Sequence, residues 1–318
     1  MGKMPKPNYE CDMHCHTVRS DGNDTPAELI ENAVQVGMKA IAITDHDIDP
    51  PRTIVNEEGR EVDIIEYARG KGLELVLGDE FSCDTYVDDV HIIGYNLDWD
   101  HPLVREEVRR AKASKSEAYR ELCEVLTAKG MPLDWEKEIL MYRDTEGKMK
   151  TRAPDEVQRK HIFEAMANKG YTSTWSEAKL LVRDNPELNV RRRKIDPFAA
   201  IKLIKTCGGL AVLAHPYLID EEIVYPDGRR YSRDEYIHRL LEAGIDGLEA
   251  AYPYSKTSYK GTLTDAEAKA EIKEKYRGKV KFFSGGSDYH NDGKKGVKNP
   301  RFIGEGGISY REFKAIFA

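Results

Sequence analysis

The sequence predicts an α/β fold, either a barrel or a doubly wound sheet, and two observations support this class. Short apolar segments alternate with helix-like segments along most of the chain, and the connections between them are short. Carboxylate and imidazole side chains follow several of the apolar segments, at the strand ends where α/β barrels build their sites. The 318 residues can form one large domain or two modest ones.

The predicted elements follow one another in a regular order. A strand over residues 9–14 leads into a Ser/Asp/Gly loop, and Thr25, Pro26 and Glu28 then provide the cap, the proline and the early acid of a helix start. That helix covers residues 26–36 and ends at Gly37. The further predicted strands are 40–43, 74–77, 210–213, 247–250 and 280–283, and the further predicted helices are 61–70, 197–207 and 233–243.

Residues 102–190 have a different character from the rest of the chain. They are rich in Lys, Arg and Glu, show helical periodicity over 104–129 and 155–169, and contain few strand signals. We therefore predict a mainly helical insertion over 102–190, between two parts of one α/β domain at 9–101 and 191–318.

Composition excludes several classes of protein. No segment approaches the ~20 consecutive apolar residues that a membrane span requires. Five cysteines, an odd number without a C-x-x-C pair, argue against a disulfide framework and predict a reducing, cytoplasmic location. The net charge of −7 argues against binding to long nucleic acids but leaves room for a local basic pocket for one small anion.

Histidines and carboxylates at predicted strand ends indicate a metal site. Because side chains alternate along a strand, His14 and His16 lie on the same side. Mixed imidazole and carboxylate ligands suit Zn²⁺, Mn²⁺ or Fe²⁺. His101, His161 and His238 lie elsewhere and are expected to be ordinary surface or core histidines. Six histidines are placed at or just beyond the carboxyl ends of strands, namely His14, His16, His46, His91, His215 and His290.

Six motifs of this chain resemble, in order, the successive motifs of the PHP (polymerase and histidinol phosphatase) family. They are Asp12-x-His14-x-His16 with Ser20-Asp21-Gly22, Thr44-Asp45-His46-Asp47, Gly78-Asp79-Glu80-Phe81-Ser82, His91-Ile92-Ile93-Gly94-Tyr95, Ala214-His215-Pro216 and Ser287-Asp288-x-His290. The resemblance implies a distorted (β/α)7 barrel with a phosphoesterase site that holds two to three divalent metal ions. It also implies that the helical insertion caps the metal cleft and contacts the substrate.

The resemblance further implies how the metal ligands are grouped. His14, His16, Glu80 and Asp288 would hold one ion, and Glu80 would bridge to a second ion that His91 and His215 complete. Asp21, His46 and His290 would hold a third. A hydroxide that bridges two of the metals would attack phosphorus, and Asp45 and Asp47 are candidates for orienting His46 in this chemistry.

Substrate contacts are predicted in three places. Arginine forks suit phosphate oxygens, so two basic clusters are candidates for a second phosphate, although each could be a solvated basic face. A loop of aromatic and hydroxyl residues could grip a sugar or a distal phosphate, or be an ordinary packed loop. These candidates are Arg191, Arg192, Arg193 and Lys194, then Arg159 and His161, and finally Tyr252, Tyr254, Lys256 and Tyr259.

We expect a metal-dependent hydrolase that acts on a small phosphorylated sugar or nucleotide. The sharpest hypothesis is a diesterase that opens phosphoribosyl 1,2-cyclic phosphate and then removes the resulting monoester phosphate. One alternative is a 3′,5′-bisphosphonucleotide phosphatase or a 5′–3′ exonuclease on short RNA. A second alternative is a non-catalytic metal-binding module, against which the intact ligand set argues.

Overall fold

The computed structural model describes residues 5–144, 146–188 and 190–317. Two compact units are present. The first, here called the barrel unit, comprises the residues up to Val108 and those from Ile195 onward, and the second, the insertion unit, is Arg109–Lys194. In the described part of the chain, no helix is both long and apolar enough to cross a membrane.

The strands are short, and most belong to the barrel unit. In chain order they are β1 (Cys11–Cys15), β2 (Ala40–Ile43), β3 (Thr53–Val55), β4 (Glu61–Asp63), β5 (Glu74–Ser82), β6 (His91–Tyr95), β7 (Met141–Arg143), β8 (Met149–Thr151), β9 (Leu210–Leu213), β10 (Glu222–Val224), β11 (Arg230–Ser232), β12 (Gly247–Ala251) and β13 (Phe282–Gly285). The pairs β3–β4, β7–β8 and β10–β11 form small antiparallel sheets of two strands each.

Seven strands form the main sheet, in the order β1-β2-β5-β6-β9-β12-β13. Its neighbours are parallel except at β6, which runs antiparallel to both β5 and β9. After β13, the amide of Tyr289 donates to the carbonyl of His14 (3.2 Å) and its carbonyl accepts from the amide of His16 (2.8 Å). These bonds bring the last strand back to the first, so the sheet is nearly closed and the predicted distorted (β/α)7 barrel is confirmed.

The antiparallel strand β6 corrects one prediction. We expected His91 at or beyond the carboxyl end of a strand, but His91 is the first residue of β6. It pairs with Ser82, the last residue of β5. Because β6 runs in the opposite direction, its first residue lies at the same edge as the carboxyl ends of the parallel strands.

Six helices of the described residues lie close to predicted positions, whereas those over 175–184, 265–276 and 310–317 were not predicted. Residues 61–63, expected at the start of a helix, form β4 instead. In chain order the helices are α1 (Pro26–Val36), α2 (Ile64–Gly70), α3 (Pro102–Ala128), α4 (Arg159–Asn168), α5 (Trp175–Asp184), α6 (Pro197–Thr206), α7 (Arg233–Glu242), α8 (Asp265–Tyr276) and α9 (Tyr310–Phe317). In α1 the predicted start is confirmed, since Thr25 and Glu28 form a capping box and Pro26 occupies the first turn. Gly37 ends this helix at φ +87°, a left-handed conformation that glycine adopts without strain.

Hydrophobic clusters fill the inside of the barrel unit and the layer between its sheet and helices. Met13, Ile93 and Val212 come from three different strands and meet in one fully buried cluster. Leu29 and Ile30 of α1 pack with Ile41 and Ile43 of β2 in a second cluster. The sheet edge that carries the polar residues is thus supported by packing on both faces of the strands.

The insertion unit has a hydrophobic core of its own. The second half of α3 packs through Leu122 and Leu126 with Ile162 and Met166 of α4 and Val182 of α5, and all five side chains are buried. A π-helical turn at Trp135–Leu140 and the β7–β8 hairpin connect α3 to the rest of this unit.

Candidate metal and phosphate site

The first part of the site is the histidine pair at the end of β1. His14 is in the strand and His16 just follows it, so both imidazoles point to the same side and both are fully buried. Their Nε2 atoms are 3.1 Å apart. Two facing nitrogens at this distance cannot both carry a proton. At least one of the two Nε2 atoms therefore directs a lone pair towards the other ring.

Glu80 lies at the centre of the imidazole cluster. Its Oε2 is 3.0 Å from Nε2 of His14 and 3.1 Å from Nε2 of His16. Its Oε1 is 2.8 Å from Nδ1 of His91 and 3.1 Å from Nε2 of His215. We expected Glu80 just beyond a strand, but β5 continues through it to Ser82, and only 1% of its surface is exposed. One carboxylate thereby contacts two pairs of imidazoles.

A third group surrounds Asp21 and His290. The Oδ1 of Asp21 is 3.1 Å from Nε2 of His290 and 3.6 Å from Nδ1 of His16. The rings of His16 and His290 stack with their centroids 4.2 Å apart. His46 joins them, with its ring centroid 4.7 Å from that of His16. About half of the Asp21 side chain is exposed, so this group opens to solvent, whereas the pair at His14 does not.

Asp288 completes the cluster. Its backbone has φ +50°, a left-handed conformation that Asp adopts more readily than most residues. Its Oδ1 is 3.2 Å from Nε2 of His16 and 3.6 Å from Nε2 of His14. The structure therefore brings together all nine predicted ligand residues, which are His14, His16, Asp21, His46, Glu80, His91, His215, Asp288 and His290.

The donor atoms of this cluster fit divalent metal ions. Three groups have one donor atom per residue within 4.8 Å of one another. The group of His14, His16, Glu80 and Asp288 is the set expected for one ion. Another group consists of His16 together with Asp21, His46 and His290, the three residues expected for a different ion. Buried nitrogen and carboxylate donors without a thiolate pair are typical of Zn²⁺, Mn²⁺ and Fe²⁺ sites. The groups are His14, His16, Glu80 and Asp288; His46, Glu80 and His91; and His16, Asp21, His46 and His290.

The charges of the cluster shift its protonation equilibria in opposite directions. Burial by itself lowers the pKa of His14, but the negative charges of Glu80 and Glu249 outweigh it and raise that pKa well above its ordinary value. Burial lowers the pKa of His91 to about 4, although the charge of Glu80 opposes this shift. Protonation is therefore favoured at His14 and disfavoured at His91, and a cation that binds at this cluster would compete with the proton.

Glu249 orients the imidazole of His14. Its carboxylate accepts a hydrogen bond from the amide of His215 (2.8 Å) and lies 3.3 Å from Nδ1 of His14. A carboxylate at Nδ1 leaves the Nε2 of His14 facing the other donors, as is common behind metal-bound imidazoles. Residue 286 next to it has room only for glycine, because a Cβ on Gly286 would lie 2.2 Å from the Cβ of His14.

Asp45 and Asp47 hold the loops around the site. Asp45 accepts hydrogen bonds from the amide and hydroxyl of Thr17 (2.8 and 2.7 Å) and from the hydroxyl of Ser20 (2.6 Å). Asp47 accepts from the amide and hydroxyl of Ser82 (2.9 and 2.8 Å). The Nδ1 of His46, which we expected these two carboxylates to orient, lies 3.4 Å from the carbonyl oxygen of Glu80. Asp45 thus acts on the His16–Asp21 loop.

The predicted aromatic loop contributes one residue to the cluster. The hydroxyl of Tyr252 donates to Oδ2 of Asp288 (2.8 Å). Tyr254 is fully buried, its hydroxyl faces the amide of Tyr217 (3.4 Å), and Tyr259 packs against its ring.

Lys256 from the same loop points to a different part of the barrel unit. Its ammonium forms an ion pair with Glu305 (2.6 Å) and donates to the carbonyl of Pro300 (3.0 Å). These contacts tie the aromatic loop to the segment that follows His290.

The basic candidates belong to the insertion unit. The guanidinium of Arg159 lies 5.9 Å from the ring centroid of Phe163, and Nδ1 of His161 accepts from the amide of Gln158 (3.0 Å). The carbonyl of Arg193 accepts from the hydroxyl of Ser114 (2.8 Å). The remaining basic candidates in this unit are Arg191, Arg192 and Lys194.

One residue of the cluster was missed by the sequence analysis. Arg301 donates through Nη1 to Oδ2 of Asp288, and its Nη2 lies 3.2 Å from Nδ1 of His290. No spacing rule connects Arg301 with the ligand motifs, because it lies beyond the last of them in an irregular segment. The only available signal was an arginine soon after the Ser287-Asp288-x-His290 motif.

Comparisons with known proteins agree with the fold and the site. The family model described as "PHP domain" matches residues 12–180. The chain is 29% identical over 206 residues to a 5′-3′ exoribonuclease of Haemophilus influenzae, covering 64% of this chain and 68% of that protein. It is 27% identical over 287 residues to a phosphoribosyl 1,2-cyclic phosphate 1,2-diphosphodiesterase of Eggerthella lenta, covering 88% of this chain and 93% of that protein.

Among solved structures, one assigned as a metal-dependent phosphoesterase from Bifidobacterium adolescentis superposes with a TM-score of 0.68. It is 23% identical, and the match covers 98% of this chain and 96% of that one. The barrel and its donor cluster define a metal-dependent phosphoesterase. The chain belongs to the PHP domain family.

Proposed function

We propose that this phosphoesterase hydrolyses a small phosphorylated ribose or nucleotide, with phosphoribosyl 1,2-cyclic phosphate as its preferred substrate. The reaction opens the cyclic diester, and removal of the resulting monoester phosphate follows. The observation that carries the hydrolytic part is the convergence of five imidazoles on Glu80, those of His14, His16, His46, His91 and His215. The substrate is supported by the Eggerthella lenta relative, because the match covers 93% of that protein.

The proposed cofactors are two to three divalent ions, Mn²⁺, Fe²⁺ or Zn²⁺. When bound, such ions lower the pKa of a coordinated water and neutralise charge on the phosphoryl oxygens. Glu80 is proposed to be shared between two ions, since its two oxygens contact different pairs of imidazoles. Asp21, half exposed, is proposed to hold the ion nearest the solvent and the incoming substrate.

Residues around the ligands prepare the site for this chemistry. Glu249 fixes His14 in one orientation, and Asp45 holds the loop that carries Asp21 through Thr17 and Ser20. Preorganised charges of this kind are the main source of rate enhancement in phosphoryl transfer, because no large reorganisation accompanies the reaction.

A second candidate is 5′–3′ exonuclease activity on short RNA, which the Haemophilus influenzae relative favours. The terminal phosphate of an RNA would then occupy the site, and basic side chains of the insertion unit such as Arg159 and Arg191 are candidates for binding RNA phosphates. We propose a cytoplasmic location, because five free, buried cysteines are compatible with that reducing compartment.

The test combines metal analysis with a panel of esters. Protein prepared with Mn²⁺ is assayed for metal content per chain and for kcat/KM on phosphoribosyl 1,2-cyclic phosphate, a 3′,5′-bisphosphonucleotide, a short RNA, histidinol phosphate and a nucleoside monophosphate. We expect two to three metals per chain and at least a tenfold preference for the cyclic ester, ~1.4 kcal/mol of transition-state binding. Faster release of 5′-mononucleotides from RNA would favour the second candidate instead.

A further inference from the structure

We propose that Tyr252 and Arg301 are positioning residues that hold one oxygen of Asp288 and so fix the other as a single-oxygen metal ligand. This inference rests on the proposed function only in taking the donor cluster to be a metal centre. Neither residue is among the nine proposed ligands, and Arg301 belongs to no motif of the sequence.

The two oxygens of Asp288 have different neighbours. Oδ2 accepts hydrogen bonds from the hydroxyl of Tyr252 (2.8 Å) and from Nη1 of Arg301. Oδ1 instead faces Nε2 of His16 at 3.2 Å. Rotation of the carboxylate, or chelation of one ion through both oxygens, would break two hydrogen bonds, one of them to a cation and therefore strong. The arrangement favours coordination through Oδ1 alone.

Arg301 is itself held in place. Only 14% of its side chain is exposed, and its Nη2 lies 3.2 Å from Nδ1 of His290 and 3.5 Å from Oδ2 of Asp292. A planar guanidinium that contacts several groups at once has little freedom to turn. A lysine at this position would supply the charge but could not reproduce the forked contacts.

The backbone around Arg301 is anchored on both sides. The amide of Gly304 donates to Oδ2 of Asp12 (2.7 Å), a buried residue of β1. On the other side, the ammonium of Lys256 donates to the carbonyl of Pro300 (3.0 Å). Lys256 also belongs to the loop that begins with Tyr252, so both donors to Asp288 come from segments that are tied to each other.

Tyr252 is equally constrained. It follows β12 directly, it is 3% exposed, and its ring lies 5.2 Å from the ring of His215. Replacement by phenylalanine would remove only the hydroxyl and leave this packing unchanged. Tyr252→Phe is therefore the least disruptive test of the hydrogen bond to Asp288.

The experiment measures metal binding in the absence of substrate. Chelator-treated full-length wild type, Tyr252→Phe and Arg301→Met are titrated with Mn²⁺, and the visible spectrum of the Co²⁺-loaded forms is recorded. Tyr310→Phe and Arg230→Met are matched controls, because Tyr310 and Arg230 also donate to carboxylates but at other places on the barrel unit. We expect about tenfold weaker Mn²⁺ binding and a changed Co²⁺ spectrum for each test variant, with control-like thermal stability of the metal-free protein for Tyr252→Phe.

A second comparison separates this role from a purely structural one. If both residues act through Asp288, adding Tyr252→Phe or Arg301→Met to Asp288→Asn will weaken Mn²⁺ binding no further. Unchanged Mn²⁺ affinity and Co²⁺ spectra in both single variants would overturn the inference and leave the proposed hydrolysis intact. A raised KM at saturating Mn²⁺ with normal metal affinity would also overturn it, and would instead indicate that Arg301 binds substrate phosphate. Wild type that binds no Mn²⁺ would overturn both proposals.

Discussion

Glu80 in the barrel unit and His161 in the insertion unit are both polar side chains in largely enclosed surroundings with positively charged neighbours, but these neighbours favour a charged state for Glu80 and a neutral state for His161. Burial raises the pKa of Glu80, yet the charges of His14 and His46 lower it well below its usual value. Burial lowers the pKa of His161 to about 3, and the charges of Arg152 and Lys160 lower it further. The barrel unit thus stabilises a buried anion with groups that bind cations, whereas the insertion unit keeps its histidine neutral among cations.

From this difference we expect the two units to have different roles. The barrel unit gathers the imidazoles and carboxylates that bind metal ions. The insertion unit concentrates positive charge around His161, and its described residues include no comparable group of metal-ligating side chains. Metal chemistry is therefore expected to depend on the first unit, and attraction of anions on the second.

The largest effect is expected from Glu80→Gln. The amide cannot supply the negative charge that the two pairs of imidazoles surround, so kcat/KM should fall by about a thousandfold and the metal content should drop. The matched control is Glu74→Gln, at the other end of β5, where the side chain accepts from Tyr310. Activity within a factor of two of wild type in Glu80→Gln would remove Glu80 from the centre of the mechanism.

A smaller effect, confined to the insertion unit, is expected from Ile162→Ala. This fully buried side chain of α4 lies in the core of that unit, and its truncation should cost about 3 kcal/mol of unfolding free energy. Leu180→Ala is the control, because Leu180 is exposed on α5 of the same unit. Amide exchange followed by mass spectrometry should show faster exchange in α4 with unchanged metal content. Loss of metal in Ile162→Ala would show that the two units are not independent.

Metal removal should destabilise the barrel unit and leave the insertion unit unchanged. Ions that bind only the folded state at a hundred times their dissociation constant add about 2.7 kcal/mol to stability. Chelation should therefore lower the melting temperature and accelerate amide exchange in β1 and β5, while α4 exchanges at its former rate. Addition of Mn²⁺ should restore both quantities, and addition of Mg²⁺, which prefers oxygen ligands, serves as the control. Equal acceleration in α4 would contradict the separation of the two units.

The smallest effect concerns acid. Folded His161 has a pKa of about 3, and in the unfolded chain it titrates near 6.5, so below that value the unfolded state binds the extra proton. Its contribution to stability is present above pH 6.5 and is lost as the pH falls from 6.5 towards 3. His161→Gln should reduce the loss of α4 protection between pH 7 and 5 by about 1 kcal/mol. His101→Gln is the control, and identical pH profiles for wild type and His161→Gln would refute the prediction.

The convergence of the nine proposed ligand residues could be predicted from sequence because each belongs to a short motif around a strand end. His14 and His16 are two residues apart, and strand geometry alone places them together. The extent of β5 was missed because Asp79 and Glu80 interrupt its apolar pattern although both are buried. His91 was misplaced because nothing in its own motif shows that β6 runs antiparallel. The apolar pattern predicted strands and helices well where buried positions carry apolar residues. It predicted them less well where buried positions carry charged residues.

Tertiary contacts explain the remaining differences. Arg301 reaches Asp288 only because Asp12 and Lys256, both distant in sequence, fix the segment around it. Lys256 was expected to contact substrate, a natural interpretation of a lysine among tyrosines, and its ion pair with Glu305 joins residues that no local pattern connects. Local patterns describe which atoms a motif offers, whereas these contacts depend on how distant loops meet.

The lack of space at Gly286 has a consequence for experiments that score every substitution in the chain. Alanine there would press on the Cβ of His14, and its position is also 2.9 Å from Oε1 of Glu249. A survey of variants by growth or turnover would therefore rank Gly286 with the ligands, although glycine has no side chain to offer a metal. Sensitivity to mutation in this barrel will outline the backbone that shapes the site as well as the atoms that perform the reaction.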